Sequence, residues 1–210
     1  HPHLSSGNIA VVHNGIIENH NALRDELSLT GVSFTSQTDS EVIAHLLSLF
    51  LKESDTHLEA TFKTLDKIKG AYALGIMFKD DPTTLYGTRK GSPLVIGQGT
   101  DGEMFLGSDA LALAGLAENL TYLEEGDLAI LTQDNIEIFD VNQTKTHRLS
   151  QNYDAEFQQV SKGPYRHFML KEIHEQPDVV RQTLNAYLSE DKKSIIFPQL
   201  SFDPKTVSKI

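Results

Sequence analysis

The residues best suited to chemistry lie in two short stretches. In VVHNGIIENH, residues 11–20, an Asn-Gly pair follows a run of small β-branched residues, and in SQTDSEV, residues 36–42, Asp39 stands where a helix is about to start. An Asn side-chain amide beside an unobstructed glycine N–H offers two donors that can surround a developing carbonyl oxyanion. Asn-Gly is also the favoured content of a type I′ turn, because both residues tolerate positive φ. Asp39 admits two readings in the same way. It is either a carboxylate placed well against a helix dipole, an effect of about 0.3–1 kcal/mol, or a receptor for a ligand ammonium group held rigidly at a helix end.

Other candidates are weaker. His1, His3, His13 and His20 cluster near the start, but no well-spaced carboxylate or Cys completes a zinc set, so no metal is expected. GTRKGSPLVIG, residues 87–97, lacks the order of a phosphate-binding P-loop, and a Gly-Ser-Pro turn between strands explains it. No G-x-S-x-G elbow is present. The chain contains no cysteine, which removes a disulfide framework, a thiolate metal site and a thiol nucleophile together.

The elements around these residues are legible from period and punctuation. Asn8 to His13 reads as a short buried strand, and IIENHNALRDELSLTG as a helix stopped by Gly31. Thr38 and Glu41 form a T-x-x-E capping box ahead of the apolar residues Val42, Ile43, Leu46, Leu47 and Phe50. A further amphipathic helix is expected over His57–Lys69. From Gly70 the period shortens, and seven strand-like runs between AYALGIMFK and NIEIFD are broken only by a short helix over Ala110–Glu118. Such a succession predicts an antiparallel meander or two packed sheets. After a polar stretch at Ser150–Gly163, a helix is expected from near Tyr165, with Pro177 at a turn or restart, followed by a weakly structured SIIFPQLSFDP.

At 210 residues with a formal charge of −11, the chain suits one large domain with a tail, and it has no basic stripe for nucleic acid or an anionic membrane. No apolar run approaches the roughly 20 residues of a transmembrane helix, and no signal peptide opens the chain, so a cytoplasmic location is expected. Opening on His1-Pro2-His3 without an initiator Met suggests a piece of a longer protein.

Taken in order, HPH, VVHNGIIENH, TDSEVIAHL, KGAYALGIMF, GSPLVIG, LGSDALAL, LEEGDLAIL and YRHFMLKEIHEQP resemble the glutaminase domain of class II glutamine amidotransferases. The last block marks the branch of glutamine–fructose-6-phosphate aminotransferases, and the likeness covers about residues 1–180. The resemblance implies an α+β fold of N-terminal-nucleophile hydrolase type, a four-layer α/β/β/α sandwich of two antiparallel sheets, incomplete because early strands are missing. It implies residues 1–177 as a partial amidotransferase domain and 178–210 as a linker towards an absent sugar-isomerising domain. The family frees ammonia from L-glutamine with an N-terminal Cys and uses it to convert fructose 6-phosphate into glucosamine 6-phosphate, in a parent that is a homodimer.

Carried over by position, Asn14 through its side chain and Gly15 through its N–H form the oxyanion hole. Asp39, helped by the Gly15 carbonyl, receives the α-ammonium of glutamine. His1 matches a family histidine near the site without a definite role. No metal or organic cofactor is implied. The nucleophilic Cys and the Arg-Trp-Ala-Thr-His segment that binds the substrate carboxylate are absent, so these 210 residues are expected to be inactive alone and prone to aggregate at unpaired edges. The rivals are another class II amidotransferase and a non-catalytic glutamine-binding module.

Overall fold

Three helical stretches with apolar stripes precede a long series of two-residue periods, and the architecture follows that change. The computed structural model describes residues 1–152 and 162–188, and the chain divides into two compact units, His1–Val160 and Ser161–Ile210.

The first unit runs β1 (His3–Ser5), β2 (Ile9–Ile17), α1 (His20–Leu29), α2 (Glu41–Leu51), α3 (His57–Lys67), β3 (Gly70–Phe78), β4 (Asp81–Lys90), β5 (Val95–Gln98) and β6 (Met104–Gly107). After a 3-10 turn at Leu111–Leu113 come β7 (Asn119–Tyr122), β8 (Leu128–Leu131), β9 (Ile136–Phe139), β10 (Lys145–Thr146) and β11 (Ser150–Asn152). Among these described strands all pairings are antiparallel. One sheet has seven strands in the order β1-β2-β3-β4-β8-β9-β10, the other four in the order β11-β7-β5-β6.

Alternation along the strands sets the layers. Ile9, Val11, Leu74, Ile76 and Phe78 point to one face of the larger sheet and pack against Leu23, Leu27, Val42, Ile43, Leu46 and Leu47 of the helices. The opposite face, with Ala73, Ala129 and Leu131, packs against Leu94, Ile96 and Leu106 of the smaller sheet. Leu106 fits there because Gly87 carries no side chain; a Cβ on Gly87 would lie 2.8 Å from it, while one on Gly75 would lie 2.8 Å from the Val12 side chain. A third small core, Val95, Leu113, Ala117 and Leu120, backs the smaller sheet. The smaller sheet does not shield β1 and β2, where Leu4, Val12 and Ile16 remain 59%, 42% and 67% exposed.

The seven expected strand runs are all present as β3 to β9, and the expected helices appear as α1, α2 and α3, although Ile16 and Ile17 stay in β2 and α1 starts only at His20. Several details differ. The capping box does not form: Ser40, not Thr38, is the N-cap of α2, and no side chain caps there. Helix α3 ends at Lys67 because Ile68 turns extended, and its N-cap Thr56 accepts the N–H of Glu59. The helix expected at Ala110–Glu118 shrinks to the 3-10 turn, with Gly115 at φ 77° ending any continuation.

In the second unit, α4 (Phe168–Tyr187) runs unbroken through Pro177. The expected turn or restart does not occur. The helix has no buried residue, so the Ile173 carbonyl deprived of a proline N–H can turn to water. Tyr165 stacks on His174 with ring centroids 5.2 Å apart. The SIIFPQLSFDP stretch, and most of Ser150–Gly163, lie outside the described residues. No described helix is long and apolar enough to cross a membrane.

Candidate active site

Strand β2 carries the site, and its two halves are built differently. β1 pairs with it only from Ile9 to Val11, whereas β3 pairs along its whole length from Ile9 to Ile17. Among the described residues, His13 to Ile17 therefore have no strand partner on one edge. The ladder is bracketed by Glu18 N–H donating to the Lys69 carbonyl at 2.8 Å and Lys79 N–H donating to the Asn8 carbonyl at 2.8 Å. Even-numbered residues of β2 thus turn their backbone groups to β3. By the alternation of an antiparallel strand, Gly15 and Ile17 turn theirs to the open edge.

The turn expected at Asn14-Gly15 is not there. Both residues sit inside β2, opposite Ala73 and Tyr72. Glycine is needed for a different reason: Gly15 has φ 141°, and a Cβ on it would lie 2.1 Å from the Ala71 carbonyl oxygen. Gly70, across the ladder at φ 129°, meets the Ile16 carbonyl oxygen in the same way. This pair of glycines lets β2 and β3 approach where any side chain would collide with backbone.

Asp39 lies in the turn just before the N-cap Ser40, two residues ahead of the start of α2 at Glu41 and not in its first turn. Its Oδ2 accepts the Ile17 N–H at 2.7 Å, on the open edge and two residues from Gly15. The Ser40 hydroxyl lies 3.4 Å from Oδ1, and His13 Nδ1 lies 2.8 Å from the same hydroxyl. The loop leading to Asp39 is clamped by Arg24, whose two terminal nitrogens donate to the Ser36 carbonyl at 3.0 Å and the Thr38 carbonyl at 2.9 Å. The guanidinium also stacks over the Phe34 ring at 4.1 Å. Glu41 completes the clamp. It accepts the N–H groups of Thr35 and Ser36 at 2.7 Å each and both their hydroxyls.

Burial of Glu41 would raise its pKa, but the hydrogen bonds from Ser36 and Thr35 outweigh it and hold the carboxyl at about 2. Burial holds the His13 imidazole below its ordinary value, against the pull of the Asp39 carboxylate and with a push from His3. Its ring is therefore neutral at pH 7.

Asn14 occupies the other face of the strand. With His1, Ala73, Leu94, Leu106 and Ser108 it lines a cleft of about 160 Å³ between the sheets. Neither Gly15 nor Asp39 is among the residues lining that cleft. The structure thus brings Gly15 and Asp39 to one edge and Asn14 and His1 to one cleft, and joins the two places through the Asn14-Gly15 peptide and through His13, which lines the cleft and reaches Ser40. Sequence reading missed Arg24, Ser40 and the use of His13. Arg24 sits in an unremarkable amphipathic pattern, and the signals for His13 are its place in the histidine cluster and its position beside Asn14.

Residues 1–115, more than half of the 210, match the glutamine amidotransferase domain family. The chain is 49% identical over 210 residues to glutamine–fructose-6-phosphate aminotransferase (isomerizing) of Zymomonas mobilis, covering all of this chain and 34% of that protein. It is 50% identical over 189 residues to the enzyme of the same name from Acinetobacter baylyi, covering 90% of this chain and 30% of that one. The chain therefore spans about a third of the length of these relatives. Among solved structures, glutamine phosphoribosylpyrophosphate amidotransferase from B. subtilis superposes with a TM-score of 0.56 at 27% identity, covering 67% of this chain and 31% of that chain. A glutamine aminotransferase class-II domain protein from Silicibacter pomeroyi shares the fold, with a TM-score of 0.51 at 18% identity, covering 67% of this chain and 70% of that chain. The α+β fold expected, with stacked antiparallel sheets and helices in the manner of N-terminal-nucleophile hydrolases, is borne out.

Proposed function

The chain belongs to the glutamine amidotransferase domain family, and on that premise we propose that it forms the glutamine-binding part of a glutaminase that supplies ammonia for making glucosamine 6-phosphate from fructose 6-phosphate. The observation that carries the reading is the Asp39 carboxylate fixed on the open edge of β2 by the Ile17 N–H at 2.7 Å, beside Gly15. A carboxylate held there suits the α-ammonium of a free amino acid, and a site built on polar partners rejects analogues that lack them.

The chemistry follows from the strand. A nucleophile attacks the side-chain amide carbon, its electrons move onto the carbonyl oxygen, and the oxyanion takes hydrogen bonds from Asn14 Nδ2 and the outward-turned Gly15 N–H. Collapse of that adduct breaks the C–N bond, the nitrogen takes a proton and leaves as ammonia, and water then releases glutamate. The 210 residues contain no cysteine. In this reading they supply recognition and oxyanion stabilisation, and a cysteine elsewhere in the gene product makes the covalent bond. The identity of about half to the aminotransferases, against 27% to the phosphoribosylpyrophosphate enzyme, favours the sugar-amidating branch. A sugar-isomerising domain linked through residues 178–210, a homodimeric parent and a cytoplasmic site of action belong to the same proposal.

The test is a titration of the complete gene product with L-glutamine, following heat of binding and glutamate release together. Saturable binding with glutamate release supports the proposal. Binding without release indicates a non-catalytic module, and no binding rejects the glutamine site. Asn14→Ala is expected to lower kcat by roughly 10²–10³, the usual cost of one lost oxyanion donor.

A further inference from the structure

We propose that His13 is a positioning residue that fixes the carboxylate of Asp39 through the Ser40 hydroxyl. The inference rests on the glutamine reading above and deepens it, since Asp39 is there the ammonium receptor. The three side chains form a chain of contacts across 27 residues of sequence: His13 Nδ1 to Ser40 Oγ at 2.8 Å, then Ser40 Oγ to Asp39 Oδ1 at 3.4 Å. The other carboxylate oxygen is tied to backbone by the Ile17 N–H. Each oxygen of Asp39 thus has one donor, one from a rigid strand and one from a side chain that His13 orients.

Hydrogen counting sets the direction of the relay. The Ser40 hydroxyl has one hydrogen, and a carboxylate can only accept. If the hydroxyl donates to Asp39, it must accept from His13, which places the ring proton on Nδ1. The neutral ring then presents Nε2 as a bare acceptor. Nε2 is buried and unpartnered, and a bare acceptor is tolerated there better than an orphaned N–H. The opposite tautomer would bury an unpaired donor and reverse the hydroxyl, leaving Oδ1 without its hydrogen bond. The groups facing the ring agree with a neutral state: His3 on β1 and the Asp39 carboxylate oppose each other, while burial disfavours charge.

The role differs from packing in what it controls. A fixed Oδ1 keeps the carboxylate plane turned towards a ligand ammonium on the β2 edge. A freed Oδ1 lets it rotate about the one bond that the Ile17 N–H does not restrain. The effect should therefore appear with ligands that carry an α-ammonium and vanish with those that do not.

The experiment uses the complete gene product and its His13→Ala, His13→Asn and Ser40→Ala variants. Ser40 makes no side-chain cap for α2, so its replacement leaves that helix end intact. Each protein is assayed with L-glutamine and with 4-carbamoylbutanoate, which is glutamine without its α-amino group. His13→Ala and Ser40→Ala are expected to lower the glutamine-to-analogue ratio of kcat/KM by roughly 3–10-fold, the scale of one lost hydrogen bond, mostly through KM. The analogue's own kcat/KM should hold. His13→Asn, whose amide nitrogen falls near the place of Nδ1, should restore most of the ratio. Equal losses on both substrates, or an unchanged ratio, overturn the positioning role. If His13→Ala does not fold, Ser40→Ala reads the same ratio with the ring in place. A wild type that turns over neither substrate, or both equally, overturns the glutamine reading itself.

Discussion

Asp39 and Glu41 are carboxylates two residues apart at the entrance to α2, and the fold uses them in opposite ways. Glu41 is 2% exposed and receives four hydrogen bonds from Thr35 and Ser36, which fill its oxygens and fold the loop back on the helix. Asp39 takes one short bond from Ile17 and one long one from Ser40, which leaves lone pairs facing the open edge of β2. A saturated carboxylate holds structure, and a half-satisfied one fixed in place can bind. The difference lies in which backbone each one meets: Glu41 turns to its own loop, Asp39 reaches across to a strand 22 residues earlier.

The contrast can be broken first at Asp39. Asp39→Asn keeps an acceptor for the Ile17 N–H but removes the charge, and is expected to lower kcat/KM for glutamine by roughly 10² or more, as for a lost charged hydrogen bond. Its unfolding midpoint should move little. Glu41→Gln should do the reverse, destabilising by about 1–3 kcal/mol because an amide cannot accept four donors, with glutamine KM unchanged in the folded protein. Denaturant titration beside steady-state kinetics separates the two.

The pH dependence sharpens the same contrast. The Glu41 pKa is depressed from 4.5 to about 2 in the folded chain. Its contribution is therefore complete above pH 4.5 and fades as the pH falls towards 2. The stability gap between wild type and Glu41→Gln should close over that interval, measured by midpoints across an acid series. The smallest effect is expected from Arg24→Lys. An ammonium cannot bridge the Ser36 and Thr38 carbonyls as the fork does, so about 1 kcal/mol of stability and a small rise in glutamine KM should be lost together.

What the sequence made legible was local. Helices α1 to α3 and strands β3 to β9 follow from apolar period and from Gly, Pro and Asp punctuation, all within a few residues of each element. Asn14, Gly15 and Asp39 each had an ordinary structural reading as turn or helix-start residues, and their site roles came from the family resemblance of the blocks that hold them. The readings that changed depend on distant partners. Whether Asn14-Gly15 turns or stays extended is decided by Tyr72 and Ala73 across the ladder, and glycine is required there by the Ala71 carbonyl. Thr38 and Glu41 have the spacing of a capping box, yet Glu41 finds better donors in Thr35 and Ser36. The link from His13 to Ser40 exists only once β2 lies beside α2. β1 was too short, at three residues, to announce itself.

The most direct measurement is a crystal structure of the complete gene product with L-glutamate bound. The α-nitrogen should lie within hydrogen-bond distance of the Asp39 carboxylate, with the side-chain carboxyl towards Asn14 Nδ2 and the Gly15 N–H. A ligand bound elsewhere, or one whose ammonium faces a group other than Asp39, would contradict the assignment of β2 as the recognition strand.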